Sequence, residues 1–158
     1  MFSEKVITML GEGALTTLYM TVASTFFAYC IGLPLGILLI ISAKDGLKPI
    51  PFLYKVLDVV VNLLRSVPFL ILLVLVIPLT RAIVGKSYGP TATIVPLTIA
   101  AAPFIARLVE SSLREVDPGV VEAAKSMGAS NFQIIMKVLI PEARTALITD
   151  ATVALVTV

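Results

Sequence analysis

Residues 13–43 read GALTTLYMTVASTFFAYCIGLPLGILLIISA, 31 consecutive positions without a charged side chain. A helix rises about 1.5 Å per residue, so the run can reach roughly 46 Å, against a hydrocarbon core of about 30 Å. One spanning helix fits, with length to spare for tilt or a kink. The run is too long for the apolar centre of a signal peptide and no basic patch precedes it, so it reads as a retained anchor. Pro34 lies inside it, between Gly32 and Gly36. Proline removes a backbone hydrogen bond and bends a helix. Two glycines four apart admit a second helix at close range, and they also arise by chance in apolar helices; the residues alone leave both readings open.

The rest of the composition agrees with a membrane protein. Of 158 residues, 58% are apolar and only 14% charged, about half the charged share of soluble domains. The mean hydropathy is +1.04. So few charges cannot cover a soluble core of this size, and so apolar a chain does not stay disordered. The net charge of +2 comes without a basic patch interleaved with aromatics, which gives no case for nucleic acid. Histidine is absent, removing the commonest general base and metal ligand. The single cysteine, Cys30, has no partner for an internal disulfide and reads as a buried, inert thiol. No Walker-type phosphate loop is present, so this chain does not hold ATP by that route.

A second uncharged run, Ser66–Thr80, is 15 residues long and too short to cross alone. Its helix is expected to begin near Tyr54, which draws Asp58 and Arg65 toward the membrane. Charges there must snorkel, pair or face water, and the spacing of seven allows an intramembrane Asp58–Arg65 pair. Pro68 and Pro78 punctuate the segment. The third run, Ser87–Ala106, has 20 residues and holds Pro90, Pro96 and Pro103. Prolines of this kind suit a transport path whose freed backbone groups face protein or water, or are packing kinks.

Ten of the 22 charged side chains then crowd into residues 107–144. This excursion is long for a plain loop and keeps helical periodicity, so it is expected to be structured. Asp117-Pro118-Gly119 is a helix start, with Asp as cap and Pro in the first turn. Val120–Met127 is expected to be helical, with Val120, Val121, Ala124 and Met127 on one face. Gly128 ends it. Ser130 or Asn131 caps a second helix, Phe132–Ile140, and Pro141 breaks it. Such a helix–turn–helix is either an amphipathic anchor on lipid headgroups or a docking element for a partner. Apolar character resumes at Ala146, but the 13 residues to Val158 include Asp150 and are too short to cross. The expectation is one transmembrane domain over residues 1–158, truncated at its C-terminus, with three spans and part of a fourth. Lys and Arg number eight in the first connection and the excursion, against three in the N-terminus and second connection. The excursion is therefore expected in the cytoplasm and the N-terminus outside.

The residues of the excursion distinguish its two readings. Glu122-Ala123-Ala124, three residues, Gly128, nine residues, then Val138-x-Ile140-Pro141 resembles the EAA loop of bacterial ABC importer permeases, whose pattern is EAA-x3-G-x9-I-x-L-P. Val138 stands for Ile and Ile140 for Leu. Arg65-Ser66-Val67-Pro68-Phe69 is similar to amino-acid permeases of that superfamily. Residues 94–98, 101–107, 109–110 and 137–143 look like methionine importer permeases, and the likeness runs from about Gly13 to the end.

The resemblance implies an all-α, polytopic membrane helix bundle of the small ABC importer permease type, with five spans in the complete family. It implies a bacterial inner-membrane subunit, present in two copies, driven by a cytosolic dimer of ABC ATPases that bind ATP and Mg. It also implies an outer-face methionine-binding lipoprotein. This chain would catalyse nothing and hold no cofactor. Glu122, Ala123, Ala124, Gly128, Val138, Ile140 and Pro141 would couple the 117–141 loop to the ATPase. A methionine path needs modest polarity, for which Ser66, Pro68, Thr98, Pro103 and Phe104 are candidates and Met9 and Met20 weaker ones; each also fits plain packing. The main alternative is the same mechanism with another amino acid or small solute. A proton-coupled carrier would want deep acids, for which only Asp58 and Asp150 offer themselves. A membrane enzyme would want a nucleophile and base within the spans, and none is visible.

Overall fold

The computed structural model describes residues 4–158, and among them there is no strand. Helix α1 is Glu4–Ser42, α2 Pro51–Ser66, α3 Phe69–Val84 and α4 Pro90–Arg114. Shorter helices follow: α5 (Pro118–Ser126), α6 (Asn131–Ile134), α7 (Ile140–Glu142) and α8 (Arg144–Thr157). A π-helical turn, Ile135–Leu139, joins α6 to α7.

The 31-residue run becomes the body of α1, which has 39 residues because it also takes in the turns around Glu4 and Glu12. Pro34 stays inside the helix. The buried positions Ala28, Gly32, Gly36 and Leu39 recur at helical spacing and form a stripe of small residues with one leucine. That stripe meets α4. A β-carbon on Gly32 would come within 2.7 Å of the Ile105 side chain and 2.9 Å of the Ala102 carbonyl oxygen. One on Gly36 would come within 2.7 Å of the Ala106 carbonyl oxygen and of Val109 Cβ. The glycine pair is therefore a true contact surface, and α4 presents its own small residues, Ala102 and Ala106, to it. Higher up, the Thr98 hydroxyl donates to the Ser24 carbonyl at 3.5 Å. Residue numbers on the two helices rise together, so α1 and α4 run in the same direction. More than half of α4's residues are buried, which makes it the central helix.

The segment from Tyr54 to Thr80, expected as one helix, is two 16-residue helices bent by 110°. Pro68 causes this. A residue before proline is pushed out of the α region, and Val67 sits at φ −74°, ψ 125°. Pro68 follows at ψ 135°, so two successive residues are extended. Pro78, by contrast, lies inside α3. Among the described residues, two helices are long and apolar enough to cross a membrane, three spans in all if the bent pair counts as one. Helix α8 has 14 residues, about 21 Å and short of a crossing, as its sequence requires. It is tied down by polar bonds: the Tyr29 hydroxyl donates to the Leu147 carbonyl at 2.9 Å, and Ser112 Oγ to Asp150 Oδ2 at 2.6 Å. Cys30 is exposed rather than buried, because it lies off the α1 stripe that faces α4.

Gly36→Val is expected to destabilise the fold by about 1–3 kcal/mol through overpacking against α4. Gly13→Val is the control, since a β-carbon there meets nothing within 4 Å. Thermal unfolding in detergent reads the difference; equal loss in both variants would count against the contact.

Candidate functional site

The segment after α4 is a folded unit. Asp117 caps α5, its Oδ1 accepting the Gly119 N–H at 2.8 Å, with Pro118 in the first turn. The helix ends on Gly128 at φ +81°. The Gly128 N–H reaches the Lys125 carbonyl at 2.9 Å and the Ala129 N–H reaches the Ala124 carbonyl at 3.1 Å. This pair of bonds is the Schellman closure, which needs a left-handed residue at Gly128. Ser130, not Asn131, caps the next helix, through reciprocal bonds with Gln133.

The expected second helix, Phe132–Ile140, is helical throughout but not uniformly α. It widens into the π turn, within which Val138 lies. Pro141 has no N–H to return to residue 137, and its ring would press on that carbonyl in an α-helix. Widening to an Ile140 N–H to Ile135 carbonyl bond relieves this.

Beneath the loop lies apolar packing. Ala124, Ile134, Leu139 and Ala143 are buried together with Leu113 and Val116. Ala124 is only 5% exposed, so it serves the loop's own core; Glu122, Ala123, Gly128 and Pro141 face outward. Val138 and Ile140 are half-buried against the core. The face expected for Val120, Val121, Ala124 and Met127 splits, for Val121 packs inward while Met127 is 81% exposed. Phe132, at 71%, and Met136 are exposed as well. Large apolar side chains thus stand on the same loop as an outward carboxylate. A cleft of about 290 Å³ separates α5 from the ends of α1 and α4 and is lined by Asp45, Arg114, Glu122 and Lys125 among apolar residues.

The charge pair expected within α2 is replaced by a longer network. Asp58 pairs with Arg107 of α4, and no ion pair joins it to Arg65 among the described residues. Seven residues along one helix is two turns, whereas α4 lies alongside. Arg107 Nη1 also meets Glu110 Oε2 at 2.7 Å, and Nη2 meets Asn62 Oδ1 at 3.1 Å. Glu110 Oε1 accepts from Arg114 at 2.8 Å and from the Tyr54 hydroxyl at 3.4 Å. Neither Arg107 nor Glu110 was singled out from the sequence, although an acid at Glu110 flanked by arginines three before and four after is a readable helix-face pattern.

The path candidates are scattered. Ser66 and Pro68 are exposed at the α2–α3 break, and the Ser66 hydroxyl folds back onto the Leu63 carbonyl at 2.8 Å. Thr98 and Pro103 are buried in α4, and Phe104 packs on the core. Met9 is exposed and Met20 half-buried on α1.

Residues 32–158 match the family described as binding-protein-dependent transport system inner membrane component. The chain belongs to this family. It is similar to the D-methionine transport system permease protein MetI of Escherichia coli (strain K12), 48% identical over 98% of this chain and 71% of that protein. The corresponding protein of Yersinia pestis is 50% identical over the same shares. Among solved structures, the inward-facing MetNI methionine ABC transporter matches with a TM-score of 0.96 at 48% identity, over 99% of this chain and 72% of that one. An amino acid ABC transporter with histidines matches more loosely, with a TM-score of 0.62 at 26% identity over the same shares. The helical membrane bundle and the place of an inner-membrane permease follow from family membership.

Gly128→Ala is expected to lower stability by about 1–2 kcal/mol, since an L side chain in the left-handed region is strained even in open space. Gly128→Asn should lose less. Unfolding temperatures of the two variants check this, and an alanine variant as stable as the parent would sink it.

Proposed function

We propose that this chain is the membrane-spanning permease subunit of an ATP-driven, binding-protein-dependent importer of methionine. The observation that carries the reading is that almost the whole chain matches D-methionine permeases in sequence, over 71% of their length, and the MetNI methionine transporter in fold, over 72% of that chain. Two permease copies form the path. Two cytosolic ATPase subunits bind ATP and Mg and perform the hydrolysis, and an outer-face lipoprotein delivers methionine. This chain holds no cofactor and performs no chemistry.

The 117–141 loop couples the two halves. A capped, packed helix transmits a rigid-body push where a loose loop would absorb it. Glu122 and the neighbouring exposed Met127 and Phe132 offer a partner one carboxylate and an apolar surface. A desolvated hydrogen bond donated by the partner to the Glu122 carboxylate contributes about 1.5–3 kcal/mol to docking. The loop faces the cytoplasm and the N-terminus the outside. The charge count supports this, and so does the shared direction of α1 and α4, which puts Lys44, Lys48 and the loop at one end of the bundle. The path runs beside the α2–α3 break, where Ser66 and Pro68 are exposed, while Thr98, Pro103 and Phe104 pack within the bundle and support it from behind. The looser likeness to an amino acid transporter favours, as the second reading, another amino acid carried by the same mechanism.

Co-purification with the ABC ATPase in detergent tests the docking. The native chain is expected to retain the ATPase, Glu122→Lys to lose at least about tenfold in association, and Gly128→Asp to insert normally yet fail in uptake. Unchanged retention in Glu122→Lys would remove that residue from the interface. For orientation, a Lys125→Cys variant is expected to react with an impermeant thiol reagent only from the cytoplasmic side, and labelling from outside would reverse the topology.

A further inference from the structure

Helix α2 is thinly attached to the bundle. Its one fully buried residue is Val61, packed with Leu39 and Ala106. Leu57 and the Tyr54 ring pack on the same cluster, and the polar ties to α4 come from Tyr54, Asp58 and Asn62, which stand four apart on one face. All three end on Arg107 or Glu110. These two are placed for more than local charge balance, because Glu110 is 5% exposed and passes the contact on to Arg114. Arg114 in turn lines the cleft shared with Glu122 and Lys125 of α5. The network holds two positive and two negative side chains, so it is neutral as a unit and tolerable near lipid. A planar guanidinium can grip Glu110 with one nitrogen and Asp58 and Asn62 with the other; an ammonium cannot hold that fork.

We propose that Arg107 is a positioning residue for transport: it clamps the bent α2–α3 pair to α4, so that displacement of the α4–α5 end carries the pair with it. The proposal rests on the importer reading and adds to it the part of the bundle that the loop must move. None of the loop's docking residues takes part in the clamp. Breaking it uncouples hydrolysis from transport without dissolving the complex.

The test uses the complete transporter, reconstituted in liposomes with its ATPase and binding protein. ATP hydrolysed and radiolabelled methionine taken up are measured together. Asp58→Asn removes only the charged tie to α2 and leaves the Arg107–Glu110 contact intact. It is expected to keep hydrolysis within about twofold and to raise the ATP spent per methionine about tenfold, within the range by which residues along a coupling network act. Arg107→Lys keeps the charge but not the fork and should fall between the two. The double variant should be no worse than the poorer single, since the Asp58–Arg107 contact is common to both. A native transporter that takes up no methionine would overturn the importer reading and the clamp with it. A native transporter that works, with variants whose ATP-to-methionine ratio is unchanged, would overturn the clamp alone; this includes the case where both activities fall in step, the mark of a merely structural role. Should Asp58→Asn not assemble, Arg107→Lys carries the same decision.

Discussion

The close approach of α1 and α4 is the constraint on which the other contacts depend. In lipid there is little hydrophobic gain in bringing two apolar helices together, so close packing must supply the attraction. Gly32 and Gly36 leave no room for even a methyl group against α4. At that separation Thr98 can reach the Ser24 carbonyl, and Tyr29 projects past α4 to the Leu147 carbonyl of α8. A wider spacing would loosen these polar bonds, one of which helps to seat the 14-residue α8. It would also shift the floor on which the 117–141 loop rests, since Leu113 and Val116 continue the same packed column.

The loop converts local chemistry into stiffness. Asp117, Gly128 and the Ser130–Gln133 exchange satisfy helix ends that would otherwise fray. The buried Ala124 and Ile134 hold α5 and α6 to one another and to the bundle. The π turn carries the chain in helical form through Pro141. Each element is small, and a short helix alone is marginal in water; here the caps and the shared core remove the alternative conformations.

Much of this was legible in the residues. Uncharged runs mark α1 and α4, the Asp-Pro-Gly start and the Gly128 stop mark α5, and the spacing from Glu122 to Pro141 marks the loop. What was not legible has a common cause, which is that one local signal has several tertiary outcomes. Pro34, Pro78, Pro96 and Pro103 lie inside helices while Pro68 breaks one, and only neighbouring helices decide whether the freed carbonyl is tolerated. Asp58 has Arg65 two turns away on its own helix, yet its partner is 49 residues on, because packing sets which helix faces it. Ala123 and Ala124 are adjacent and chemically identical, and only the loop's seating on Leu139 and Val116 makes one core and the other surface. The expectation of one helix over residues 54–80 gives way to two helices for the first of these reasons.

The shared direction of α1 and α4 settles the path of the chain between them. Two helices that both run from one face of the membrane to the other oblige the intervening segment to make the return trip. Ile50, at the head of α2, bonds back to Ser42 at the end of α1, while α3 leads within a few residues into Pro90 at the far end of α4. The α2–α3 pair therefore carries the chain from one end of the α1–α4 pair to the other, with an elbow of 110° in it. The elbow leaves the amides of Phe69 and Leu70 without helical partners. Hydrocarbon cannot satisfy them, so that corner of the bundle must be wetted or covered by other protein.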